Sequence, residues 1–204
     1  MKANLLAKWF MKTNPSLKNG YIDENTKLNK LLFFSSSMYY ATQNENLTDE
    51  KFEKWDNGPV IRKIYTDYRY NNLSSFPDSD IVIEDDEILK ILNIINIVYG
   101  DMDAKTLSHK SHESLIWKNA QRNEELDFSN MSEEERNFMT NVYQAYKGLD
   151  FENLRIEKIN GNRYFYFQNN IKDFDEDLIK KLETVPTGAE PSFIELIDGE
   201  YVFS

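Results

Sequence analysis

His109 and His112 stand three residues apart with Glu113 beside them, and on a helix that spacing presents two imidazoles on one face. Zinc asks for three or four protein ligands, and the His-Glu-x-x-His order of zinc proteases is absent. The chain has no cysteine, so thiolate ligands, disulfides and cysteine nucleophiles are excluded together. No metal site is expected, and a hydrogen bond to backbone near a helix end is the simpler role for these histidines. Ser35, Ser36 and Ser37 lie inside a helical pattern with no flanking glycine, whereas a hydrolase nucleophile needs Gly-x-Ser-x-Gly at a strand-to-helix turn. They read as small packing residues. The seven glycines form neither Gly-x-Gly-x-x-Gly nor a Walker loop, so nucleotide binding is unsupported and no cofactor is expected. Carboxylates cluster at Glu84 to Glu87, Glu133 to Glu135 and Asp173 to Asp177, each at the start of an expected helix, where they complement the helix dipole. The expectation is a protein that is not an enzyme.

Composition narrows the partners. A formal net charge of -11, from 35 acidic and 24 basic residues, argues against nucleic acid, whose phosphates require local positive charge. It suits a basic protein partner or simply keeps the chain in solution. The apolar runs near Leu31 to Phe34 and Ile91 to Tyr99 are too short or too interrupted to span a membrane, and Lys8 and Lys12 break the Leu5 to Met11 stretch that a leader would need. A cytoplasmic location follows as the default.

The elements that must position these residues are mainly helical. Leu5, Leu6, Trp9 and Phe10 share a helical face that ends at Asn14-Pro15. Asp23 or Asn25 can cap a second, longer helix whose apolar residues surround it, which predicts a central position. Gly58 and Pro59 follow Trp55 in an aromatic-bearing loop, and Pro59 suits the first position of a third helix reaching about Tyr70. Asn71 to Asp80 reads as a loop. Further helices are expected over Glu87 to Tyr99, Ala104 to Ser111, Ser114 to Arg122 and, from the capping box Ser132/Glu135, Met131 to Lys147. Past Asp150 the period changes to that of strands around Asn160-Gly161 and Asp198-Gly199, both strong hairpin signals, with a short helix capped by Asp175 between them. The fold class expected is mainly α: a compact helical domain over residues 1–149, and an α+β hairpin-helix-hairpin extension over residues 150–204 packed on it. Because isolated hairpins are marginal, the two should pack on the helices or pair with each other. Tyr164, Phe165, Tyr166 and Phe167 put bulky residues on both faces of one strand, the mark of either a partner-binding edge or burial between layers.

Three motifs occur in fixed order: Lys27-Leu28-x-Lys30-Leu31-Leu32-x-Phe34, then Trp55-x-x-Gly58-Pro59-Val60 with Tyr65, then Leu107-Ser108-x-x-Ser111-His112 followed by Trp117. In this combination, from about Asn4 to Ala120, the chain resembles the Panacea antitoxin domain, also described as SocA-like. It departs from the family pattern at Phe34, where a tyrosine is usual, and at Ser111, where threonine is usual. The aromatic ring and the hydroxyl are kept. The resemblance implies a compact helical domain that neutralises a cognate protein toxin by binding it, with no reaction catalysed. It also implies an alternative in which a member hands its toxin to a cellular protease. Lys27, Lys30, Phe34, Trp55, Gly58, Pro59, Val60, Tyr65, Ser108, His112 and Trp117 are then the motif residues, structural or partner-binding, with His112 and Trp117 expected as a packed pair near the Gly58-Pro59 turn. The aromatic strand Tyr164 to Phe167 is the candidate variable surface.

Overall fold

The computed structural model describes residues 1–70, 73 and 81–204. Most of the loop expected over Asn71 to Asp80 lies outside the described residues. The chain forms two compact units, Met1–Lys147 and Gly148–Ser204.

The first unit is helical and is organised by one element. Helix α1 is Ala3–Thr13, followed by a 3-10 turn at Pro15–Asn19, and α2 is Ile22–Gln43. A short hairpin, β1 Glu53–Trp55 and β2 Gly58–Val60, leads into α3, Arg62–Arg69. Then come α4 Asp86–Tyr99, α5 Ala104–Glu113, α6 Leu115–Lys118 and, after a 3-10 turn at Phe128–Asn130, α7 Glu133–Tyr146. Helix α2 is buried on all sides from Leu28 to Met38, and α1, α3, α4, α5, α7 and β2 pack against it. Its Leu28, Leu31, Leu32, Phe33, Phe34 and Met38 are buried, as are Leu6 and Phe10 of α1 and Ile91, Leu92, Ile94 and Ile95 of α4. Among the serines inside α2, Ser35 and Ser37 return their hydroxyls to the carbonyls of Leu31 and Phe33 at 2.8 and 2.9 Å, which lets small polar residues sit at the crowded crossing.

Several boundaries differ from the expectation: α6 ends at Lys118 rather than reaching Arg122, and α2 and α3 start differently. Helix α2 starts at Ile22 with no side-chain cap, because the Asn25 amide is buried and reaches across to the Tyr65 carbonyl at 3.0 Å. Pro59 is a strand residue rather than the start of α3. Asp56 and Asn57 turn the chain and Gly58 takes φ 97°, the turn-plus-left-handed-residue pattern that closes a short hairpin, so the helix begins only after Ile61. Asp85, Asp103 and Ser132 cap α4, α5 and α7, the last with both hydrogen bonds of a capping box.

In the second unit, β3 Leu154–Ile159 and β4 Asn162–Phe167 close around Asn160 and Gly161 at φ 48° and 79°. Helix α8, Glu176–Glu183, precedes β5 Ser192–Ile197 and β6 Glu200–Phe203, which turn at Asp198 and Gly199. The hairpins pair with each other through parallel β4 and β5, giving a sheet in the order β3-β4-β5-β6. Tyr164, Tyr166, Ile171, Leu178, Leu182 and Ile194 form the core under α8. Strand β4 is therefore interior, paired on both sides, and not the edge it could have been. Tyr164, Phe165 and Tyr166 are buried, and the alternation of the strand sends Tyr164 and Tyr166 into that core while, on the other face, Phe165 stacks on Phe193 and Phe167 lies tilted against it.

Candidate functional site

The motif residues meet where the β1–β2 hairpin is clasped between α2 and α5. Gly58 sits at the crossing: a Cβ there would come within 2.5 Å of Ser111 Oγ and 2.7 Å of Lys30 Cε, so both its positive φ and the lack of a side chain are required. From α2, the Lys30 ammonium is wholly buried and donates to the Pro59 carbonyl at 2.9 Å. One residue earlier, Asn29 Oδ1 accepts from the Ile61 N–H at 3.0 Å, while its amide nitrogen donates to Asn25 Oδ1 at 3.0 Å. Asn25 in turn holds the Tyr65 carbonyl. Three residues of one helix thus fasten the chain from Pro59 to Tyr65.

From the other side, Ser108 Oγ donates to the Asn57 carbonyl at 2.9 Å and Ser111 Oγ to the Ser108 carbonyl at 2.8 Å. Trp117 Nε1 reaches the Trp55 carbonyl at 3.3 Å. His112 stacks on the Trp117 ring, with centroids 4.0 Å apart and planes at 20°, and the Lys54 ammonium lies 4.3 Å over the same ring. Lys54 also donates to the carbonyls of Lys118 and Ala120 after α6, at 3.1 and 2.8 Å. Trp117 itself is only half-buried.

The electrostatics follow from this packing. Burial pushes the Lys30 amine down to about 7, since the low-dielectric interior penalises the ammonium. His112 is also lowered, first by burial and then by Lys30 and its other cationic neighbours. Its Nε2 is buried with no hydrogen-bond partner among the described residues, which favours the neutral ring. His109 is exposed, and among the described residues no group of three or more histidines and carboxylates is placed to hold a metal ion.

Outside the clasp, Trp55 and Tyr65 pack with centroids 5.0 Å apart, and Arg62 covers the Trp55 ring at 5.2 Å while pairing with Glu53. They border a cleft of about 400 Å³ that Thr26 and Arg122 also line. A larger groove of about 490 Å³ runs between α2, α4, α5, α6 and α7 over Phe33, Phe34, Tyr99 and Met139, with Phe138 at its side left 55% exposed.

The structure thus gathers Lys30, Trp55, Gly58, Pro59, Val60, Tyr65, Ser108, His112 and Trp117 around one hairpin. Phe34 lies apart, stacked on Tyr99 at 4.4 Å in the core, and Lys27 is half-exposed on α2. Tyr164 to Phe167 belong to the second unit. Asn29 was not singled out from sequence and Asn25 only as a possible cap, although two asparagines four apart leading into the buried stretch of a helix are a visible anomaly, because the amide competes with helical backbone unless it has a tertiary partner. The Phe138 groove had no signal, since its walls come from five separate helices.

Among the described residues no helix is long and apolar enough to cross a membrane. No curated protein and no solved structure matches the chain significantly. A family model, described as antitoxin SocA-like, Panacea domain, matches residues 28–159 and so runs past α7 into the first hairpin of the second unit, further than the motifs alone reached. That span holds the whole clasp except Asn25 and covers well over half of the 204 residues, and the chain therefore belongs to the SocA-like Panacea antitoxin domain family.

Proposed function

We propose that this protein is an antitoxin that neutralises a cognate protein toxin by binding it directly. The family match over residues 28–159 carries this reading. The chemistry of the clasp supports it, because the residues that could act on a substrate are already engaged: the Lys30 amine and the Ser108 and Ser111 hydroxyls donate to backbone carbonyls inside the fold. In this reading the motifs hold the domain together and catalyse nothing. The toxin is met on neighbouring surfaces, where Trp55, Tyr65, Arg62 and exposed Phe138 supply the aromatic and arginine side chains that dominate protein interfaces.

The test is co-expression with the product of the adjacent reading frame. That product is expected to arrest growth alone, to be harmless with this protein present, and to co-purify with it at undiminished abundance. A harmless neighbour, or one that stays lethal, would sink the proposal. Rescue accompanied by a shortened toxin half-life would instead make the protein an adaptor to a cellular protease.

A further inference from the structure

The two outer edges of the second unit's sheet are built differently. On β3, the Gln168 N–H bonds to the Asn153 carbonyl at 2.8 Å, and alternation along the pair then turns the peptide groups of Leu154, Ile156 and Lys158 away from β4. Leu154 is satisfied there, its N–H by the Asp150 carbonyl and its own carbonyl by Arg155. Arg155, Glu157 and Lys158 line that strand with charge, a usual protection against strand addition.

Strand β6 lacks such protection. Phe193 and Ser204 exchange both peptide hydrogen bonds, at 2.8 and 3.1 Å, so alternation directs the N–H and C=O groups of Tyr201 and Phe203 outward. The strand reads Glu-Tyr-Val-Phe, with no lysine or proline, and Val202 and Phe203 are 41% and 38% exposed. Tyr201 and Phe203 lean to the α8 face, where the tyrosine hydroxyl meets Asp175 and Lys181 lies over the Phe203 ring. Val202 lies on the opposite face.

We propose that β6 pairs antiparallel with β6 of a second copy of this chain, about a two-fold axis through Val202. The four outward groups lie symmetrically about that residue, so this register engages them all: Tyr201 of each copy exchanges two hydrogen bonds with Phe203 of the other. Val202 then faces its own counterpart, aromatic faces aromatic, and Glu200 meets Ser204 rather than a second glutamate, which avoids a like-charge pair. Centring the axis on Tyr201 would set Phe203 against Gly199 in the turn and use fewer of these groups. The result is a sheet continuous through both copies. A strand edge alone buries less than a standard interface, so the dimer is weak and concentration-dependent. Each copy carries a net charge of -11, so added salt strengthens the pairing by screening repulsion.

The chain has no cysteine, which makes cross-linking unambiguous. In the proposed register the Val202 pair is non-hydrogen-bonded, with Cα atoms about 4.5 Å apart, within reach of a disulfide. Val202→Cys is expected to form a disulfide dimer under mild oxidation while Ile156→Cys, equally exposed on the other edge strand, stays largely monomeric. Sedimentation of the unmodified protein should show a dimer that grows with concentration and salt. Phe203→Pro removes an N–H that faces away from β5 and should abolish that dimer with the far-UV spectrum unchanged; Val202→Lys, on an exposed position, should do the same without touching the backbone. Equal cross-linking at the two positions, or a monomer at all concentrations in high salt, would overturn the proposal.

Discussion

Lys30 is the residue whose burial has the clearest energetic signature. Its amine is held at about 7 in the fold against an ordinary value of 10.5, so between these limits the unfolded chain binds more protons than the native one. Stability contributed through this group therefore rises as pH increases from about 7 toward 10.5, and below about 7 the cost of the buried ammonium is constant. Lys30→Met is expected to flatten the rise in urea midpoint between pH 7 and 9.5, a range below the ionisation of Tyr68 and Tyr99, both raised to about 12. An unchanged pH profile would show that the amine is not the group responsible. Gly58 carries the other strong constraint at this scale. Gly58→Ala combines an unfavourable φ with contacts to Ser111 and Lys30, and a loss of about 2 to 4 kcal/mol is expected in denaturant titrations.

At the scale of elements, α2 acts as the post to which the hairpin and α3 are tied. The tie is polar although it is buried, and its cost structure is asymmetric: removing one partner strands the other. Asn29→Leu leaves the buried Ile61 N–H without its acceptor, and a loss of about 1 to 3 kcal/mol is expected, whereas a surface asparagine would lose almost nothing. Helix α2 has no basic residue in its last turn, and Arg136 of α7 supplies the charge, donating to the carbonyls of Tyr40 and Ala41 at 3.3 and 3.4 Å. Helix α7 is fixed at its start by Ser132 and Glu135, and Glu135 also accepts from the Leu115 N–H at 3.0 Å. Ser132→Ala should cost about 1 kcal/mol by thermal melt, and Glu135→Ala more, since it also frees the start of α6. Equal losses would mean that the α6 contact contributes nothing.

For the molecule as a whole, the acid excess works against compactness. With a net charge of -11 and surface pairs such as Arg62–Glu53 and Lys63–Asp67 contributing little, self-repulsion is the larger long-range effect. Raising the salt from about 0.05 to 0.5 M shortens the screening length to a few ångströms, and the melting temperature is expected to rise by about 2 to 4 °C. A fall would show that ion pairs outweigh the repulsion.

Helices and hairpins were legible because their signals are local. The capping box at Ser132, the cap at Asp175, and the Asn160-Gly161 and Asp198-Gly199 turns each depend on a few adjacent residues and on backbone angles that those residues favour. The absence of cysteine and the ordered motifs were likewise fixed by composition and spacing alone. What required tertiary structure were the choices between local alternatives. Pro59 suits either a helix start or an edge strand, and the Lys30 ammonium and Asn29 amide across the gap select the strand. Asn25 can cap a helix or brace a neighbour, and the Tyr65 carbonyl decides it. An aromatic strand can be an edge or an interior one, and only the parallel pairing of β4 with β5 made it interior and left β6 as the open side. In each case the energy that decides comes from a partner dozens of residues away, which no local pattern contains.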